Sequence, residues 1–184
     1  MDIATFRKKI KTNPVQPIYF LYGDESFYID NLGKFIVDLT VSPEMKDFNY
    51  SVLYGKEVDT ATVLDALMRY PMMAEYQVIH LKEAHQMKSF ADLLPYLNEP
   101  LESTIFIIEY KNSVDKRFKV FKTLTKLETA FESASVRDYQ ITQWIGDYVK
   151  GQDWTIQPET TRLLGEYLGT DLQKIVNELE KIML

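Results

Sequence analysis

Cysteine is absent from all 184 residues, which excludes disulfides, thiolate metal ligands and thiol nucleophiles. That absence suits a reducing compartment, and a cytoplasmic location is expected. Histidine is nearly as scarce. His80 and His85 flank Glu83 at a spacing that neither matches H-E-x-x-H nor stacks ligands on one helical face. One is expected to point into a sheet and the other into a loop, and neither a metal nor a cofactor is expected. No stretch approaches the roughly 20 apolar residues of a membrane span. The amino terminus, MDIATFRKKIKTNPVQ, carries charges where a signal peptide needs its apolar run, so no membrane partner is expected. Positive charge is also in deficit, with 21 basic against 27 acidic residues and a net charge of −6. The chain as a whole repels a phosphate backbone, so nucleic-acid contact would need a local basic patch or partner subunits.

What is present is enough apolar material for a core: 46% hydrophobic and 13% aromatic residues. Ile18–Tyr22, closed by Gly23, reads as a buried strand. Asp24 or Ser26 can cap the helix that follows, with Phe27, Tyr28, Leu32, Phe35, Ile36 and Leu39 on one face until Ser42-Pro43 breaks it. Phe48–Tyr54 alternates at period two and reads as a strand. Asp59 or Thr60 caps a helix with Val63, Leu64, Leu67 and Met68 along its apolar stripe, ended by Pro71, which biases Tyr70 away from helical geometry. Gln77–Leu81 is a third strand, Met87–Asn98 a helix kinked or stopped near Pro95, and Thr104–Ile108 a β-branched run suited to burial on both faces. Lys116–Leu127 reads as a charged amphipathic helix and Ala130–Val136 as the last strand.

Five strands separated by helices predict an α/β fold with an open, mostly parallel sheet. After Arg137-Asp138 the pattern turns all-helical, with Trp144–Lys150, Pro158–Leu168 and Thr170–Leu184 punctuated by Gly151 and Gly169. Pro158 suits a first helical position, and Asp171 or Thr170 a cap. The last helix reaches Leu184 with no capping signal, so a longer natural chain is expected. Trp144 and Trp154 read as core or domain-junction residues.

The segment from Pro17 to Asp30 is strand, glycine turn and helix start, the place where many nucleotide-binding α/β proteins hold a phosphate. A working loop has the form G-x-x-x-x-G-K-[ST], with amides cradling phosphate, a lysine neutralising it and a hydroxyl on magnesium. Here Gly23 is followed by two carboxylates, Asp24 and Glu25, and no Lys-Ser/Thr pair comes after them. The architecture is that of an ATPase without its chemistry, pointing to a protein that binds rather than catalyses.

Four segments together resemble a known family. They are Pro17–Glu25; the turn Tyr70-Pro71-Met72-Met73-Ala74-Glu75 before the Gln77–Leu81 strand; Asp115-Lys116-Arg117 after the Thr104–Ile108 strand; and Gly169–Gln173 leading into Asn177–Lys181. In this order and spacing the chain is similar to the delta subunit of the bacterial DNA polymerase III clamp loader. The resemblance implies an AAA+-type (P-loop NTPase-like) domain over 1–140 and a helical lid over 141–184, itself truncated. A third, collar domain would be absent, with loader assembly impaired. It implies a part of the DNA polymerase III holoenzyme, a nucleotidyltransferase assembly, that is not itself an enzyme. The implied partners are the sliding clamp (beta), the tau/gamma and delta prime loader subunits, chiefly through the missing collar, and DNA only indirectly.

The same resemblance marks a degenerate nucleotide site at Gly23, Asp24, Glu25, Lys82 and Gln173. Lys82 ends the third strand where an active relative needs a magnesium-holding aspartate, and Gln173 stands where the lid arginine would be. It also places the clamp contact at Tyr70, Pro71, Met72 and Met73, where the family more often has a leucine–phenylalanine-like pair. By residue type alone, methionines fill core gaps. Met68 fits that role, whereas Met72 and Met73 are adjacent and past the helix, so both cannot face the core. Lys111, Lys116, Arg117, Lys119, Lys122 and Lys126 form a basic patch, with Phe118, Phe121 and Leu124 opposite. It reads either as a solvated helix face or as a contact with DNA or an acidic subunit. Two other functions stay open, a nucleotide-hydrolysing AAA+ ATPase and a nucleic-acid-binding scaffold using the 111–126 helix.

Overall fold

The computed structural model describes residues 2–183, so Leu184, the last residue of the helix expected from Thr170, lies outside the described residues. The chain forms two compact units, divided between Ala134 and Ser135.

The first unit is built on strands β1 (Ile18–Gly23), β2 (Tyr50–Tyr54), β3 (Gln77–Lys82), β4 (Thr104–Tyr110) and β5 (Ala130–Ser133). Their order is β2-β3-β4-β1-β5 and every pairing is parallel, so the expected mostly parallel sheet is wholly so. A parallel sheet needs cover on both faces, and the side chains alternate accordingly. Ile18, Phe20 and Tyr22 of β1 join one core with Ile79, Leu81, Phe106 and Ile108. Tyr19 and Leu21 join the other with Val78, Ile105 and Ile107.

The second face is covered by α1 (Ile3–Thr12) and α2 (Ser26–Thr40). Helix α1 was not legible in the charged amino terminus. It buries only Phe6 and Ile10, and the Phe6 ring lies 5.0 Å from Phe131 of β5. Asp2 caps it by accepting from the Thr5 N–H at 2.9 Å. Helix α2 is capped by Glu25, not by Asp24 or Ser26.

A single helical turn, α3 (Lys46–Asn49), replaces the first part of the strand expected over Phe48–Tyr54. Phe48 is exposed and Asn49 buried, the reverse of what alternation gave. Helix α4 (Thr60–Leu67), capped by Asp59, covers the first face with the segment after β3. The helix expected over Met87–Asn98 is a 3₁₀ turn, Phe90–Leu93, running into α5 (Leu94–Asn98), with Pro95 in the first turn where its missing N–H costs nothing. Helix α6 covers only Lys119–Leu124 of the expected Lys116–Leu127. Val120 and Leu124 face inward, while Phe118 is exposed just before the first turn. Strand β5 stops at Ser133 rather than Val136.

In the second unit α7 (Asp138–Gly151) buries Ile141, Ile145 and Val149 at four-residue steps. Helix α8 (Pro158–Leu168) starts on its proline, and α9 (Leu172–Met183) buries Leu172, Ile175, Val176 and Leu179. Asp171 caps α9 by accepting from the Lys174 N–H at 3.0 Å. Trp144 stacks on Tyr148, whereas Trp154 is exposed and not part of a core.

Beneath α2 lies a buried polar group. His80 of β3 donates through Nε2 to Glu109 Oε1 of β4 at 2.7 Å, and its Nδ1 shares a hydrogen bond with the Tyr50 hydroxyl of β2 at 3.0 Å. Three strands are thereby joined through side chains. Gly33 of α2 sits directly over the pair, and a Cβ there would collide with Glu109 Oε1 and crowd the imidazole. Gly33→Ala should therefore destabilise the first unit by about 1–3 kcal/mol through overpacking, read as a lower urea midpoint at unchanged slope.

Candidate functional site

The parallel sheet has two distinct edges. At the carboxyl edge, where open α/β sheets usually place a ligand, β1 ends in the Gly23-Asp24-Glu25 turn. Gly23 has φ of 124°, and a Cβ there would collide with the Ser133 carbonyl. The turn leaves just Asp24 and Glu25 between strand and helix, and its amides are already used. The Gly23 N–H donates to the Asn112 carbonyl at 3.1 Å. Those of Asp24 and Glu25 donate to the Ser133 carbonyl at 2.9 and 3.4 Å. The Ser133 hydroxyl returns a bond to the Glu25 carbonyl at 2.7 Å, and Glu25 accepts from the Phe27 N–H at 3.2 Å. A phosphate cradle needs such amides to point at the anion; here they point at β5 and the loop after β4. Lys82 stands at the end of β3, partly exposed. Gln173 is an exposed residue of the second unit and donates to the Asn177 side chain at 2.9 Å.

At the opposite, amino edge, residues 68–76 connect α4 to β3. Tyr70 is 89% exposed, Met72 58% and Met73 93%. Met68, expected in the core, is 62% exposed, because α4 ends at Leu67, three residues before Tyr70. Only Pro71 and Tyr76 of the loop after Tyr70 are partly covered. The result is a contiguous chain segment presenting four large apolar side chains to solvent, of a kind that marks interaction surfaces.

The loop is nonetheless held. The Gln77 amide donates to the Ala66 carbonyl at 3.1 Å, the Arg69 carbonyl at 2.7 Å and the Thr104 hydroxyl at 3.2 Å. The Thr104 hydroxyl donates to the Leu67 carbonyl at 3.0 Å. The Ala66 and Leu67 carbonyls belong to the last turn of α4, where no further helical turn supplies donors, and Arg69 follows just beyond it. On the far side the Asn49 side chain meets the Met72 backbone twice. Its Oδ1 accepts from the Met72 N–H at 2.6 Å, and its Nδ2 donates to the Met72 carbonyl at 2.8 Å. Asn49, Gln77 and Thr104 were not singled out from the sequence. The available signal was a buried-strand pattern interrupted by polar residues, since asparagine is depleted in strands.

Half of the basic patch is paired. Lys111 pairs with Asp30 at 2.6 Å, Lys116 with Glu132 at 3.3 Å and Arg117 with Asp115 at 2.6 Å. The Arg117 guanidinium holds the Asp115 carboxyl down to about 2. Lys119, Lys122 and Lys126 are exposed and make no ion pair among the described residues. Among the described residues there is no group of acidic and histidine side chains fit to hold a metal, and no helix is long and apolar enough to cross a membrane.

The Holliday junction branch migration motor RuvB of Thermotoga maritima superposes with a TM-score of 0.56 at 14% identity, covering 94% of this chain and 57% of that one. A DNA clamp loader delta protein of Bacillus subtilis superposes with a TM-score of 0.78 at 24% identity, covering 98% of this chain and 56% of that one. The first unit is thus an AAA+-type α/β fold, and helices follow it. The family model for the DNA polymerase III delta subunit matches residues 19–134, and the chain belongs to that family of clamp-loader subunits. The curated DNA polymerase III subunit delta of Bacillus subtilis (strain 168) is 25% identical over 95% of this chain and 54% of its own length. The chain spans about half the length of the relatives it matches.

Two outcomes follow from the geometry. Titration with magnesium and ATP up to about 1 mM, the upper end of ordinary enzyme KM values, should register no binding. Gln77→Leu should cost about 1–3 kcal/mol by stranding buried carbonyls, and should speed amide exchange in residues 68–76 more than elsewhere.

Proposed function

We propose that this chain binds the sliding clamp through Met72 and Met73, flanked by Tyr70 and Pro71, and promotes opening of the clamp ring for loading onto primed DNA. The observation that carries this reading is the exposure of Met72 and Met73 on an anchored loop at the sheet edge opposite the phosphate turn. Methionine is unbranched and polarisable, and suits an anchor that must fill another protein's apolar pocket. Burying the two side chains supplies roughly 1.5–3 kcal/mol each, enough for the hot spot of an interface. A subunit that binds the sprung, open ring better than the closed one shifts the ring's equilibrium toward opening without hydrolysing anything.

In this reading the chain is not an enzyme. Its saturated Gly23–Glu25 amides and the lysine at position 82 support a nucleotide site kept as scaffold only, with ATP acting on the tau/gamma subunits of the same loader. Residues 1–140 serve as the clamp-binding AAA+-like domain and 141–184 as a helical lid. Tau/gamma and delta prime assemble chiefly through a collar domain outside residues 1–184, and DNA is met within the complex. Lys119 and Lys122 are left available to an acidic neighbour or to DNA, whereas Lys116 and Arg117 are already paired.

The test is Met72→Ser with Met73→Ser, measured by calorimetry against the purified sliding clamp. Affinity should fall by about 100-fold or more, with the urea midpoint unchanged because both side chains are exposed. Unchanged affinity would remove the site assignment.

A further inference from the structure

The loop that carries Met72 and Met73 has little packing of its own. Residues 72–75 are exposed, and behind them a cleft of about 220 Å³ opens between Ala74–Tyr76 and Thr40–Met45, with Asn49 in its wall. Met73 also adopts φ of 53°, a left-handed conformation in which a non-glycine residue persists only when its surroundings impose it. Burial cannot impose it here, because Met73 is almost fully solvated. Gln77 and Thr104 hold the carbonyls at the end of α4, but they stop at Arg69. Between Arg69 and Gln77 the side-chain grip on the loop backbone comes from Asn49.

That grip is specific in form. Asn49 is 3% exposed and sits at the end of α3, immediately before β2, which runs beside β3. Its amide offers an acceptor and a donor in one plane, and both are used on a single residue, the N–H and C=O of Met72. The pairing imitates one rung of a β-ladder between the end of α3 and the loop. An aspartate would keep the acceptor but set a charged oxygen against the Met72 carbonyl, and a leucine would offer neither group. The Met45 sulfur 4.0 Å away adds only a weak contact to Nδ2.

We infer that Asn49 is a positioning residue for the clamp-binding loop, fixing the Met72 backbone so that Met72 and Met73 are pre-oriented for their partner. The inference rests on the proposed clamp contact for its functional consequence, but its structural part stands alone. Without the two bonds the loop samples other conformations, and binding must then order it at the moment of contact, which weakens affinity without altering any contact residue.

The experiment uses the 184-residue chain with the methionine methyl groups labelled for NMR. Asn49→Ala should abolish the exchange protection of the Met72 amide, raise the mobility of the Met72 and Met73 methyls, and weaken clamp binding about five- to tenfold. Asn49→Asp should keep much of the Met72 amide protection, because the acceptor remains. It should still raise methyl mobility and weaken clamp binding, because its second oxygen repels the Met72 carbonyl, and it serves if the alanine variant does not fold. Protection and methyl order unchanged in a folded variant would overturn the inference, as would a loop loosened with clamp affinity held within about twofold. The Met72→Ser, Met73→Ser chain separates the two claims. If it still binds the clamp, the contact assignment has failed, and Asn49 is then judged on amide protection alone.

Discussion

The constraint on which the structure depends is the parallel direction of its five strands. Parallel strands send every connection of one kind to one edge of the sheet and every connection of the other kind to the opposite edge, and they must be covered on both faces. That single rule puts the Gly23 turn, the end of β3 and the end of β4 together at the carboxyl edge. It puts the loop entering β3 at the amino edge, about 20 Å away along a six-residue strand. A change at one edge need not disturb the other, so the Asp24 and Glu25 amides can bond to Ser133 of β5 and that of Gly23 to Asn112, while the exposed methionines occupy the far side.

Most of this was legible in the sequence because it rests on periodicity. The strands beginning at Ile18, Gln77 and Thr104 read as apolar runs because both their faces are buried, and the helix after Gly23 read from its three- and four-residue steps. The errors cluster where tertiary contacts override local pattern. Phe48–Tyr54 alternates convincingly, yet its first part is a turn of helix in which Asn49 faces inward and bonds the Met72 backbone. Met68 extends the α4 stripe on paper, but the helix stops at Leu67, where Gln77 and Thr104 take its carbonyls. Helix α1 went unread because two buried residues, Phe6 and Ile10, give too little periodicity among so many charges.

The candidate site shows the same division. The adjacent apolar pair at 72 and 73 was visible because two consecutive residues past a helix end cannot both face a core. The missing lysine of the phosphate loop was visible by comparison with the motif. What the sequence could not display was the backbone: that the Gly23, Asp24 and Glu25 amides are all occupied, and that Lys111, Lys116 and Arg117 each face a carboxylate distant or local in sequence. Charge counted along the sequence overstated the basic surface, because the three basic residues before α6 are paired while Lys119 and Lys122 on it are not.

Apart from Tyr76, whose ring packs on the core, the side-chain tethers described for the loop between α4 and β3 grip main-chain atoms. Asn49 holds the N–H and carbonyl of Met72, while Gln77 and Thr104 hold carbonyls of residues 66, 67 and 69. None depends on which side chain projects outward at 68, 70, 72 or 73. Stability and the chemistry of the exposed surface are therefore separately adjustable in this segment. The outward residues can be exchanged one for another, methionine for leucine or phenylalanine, with the shape of the loop and the folding free energy left as they were. Such an arrangement lets a binding surface follow a changing partner by substitution alone.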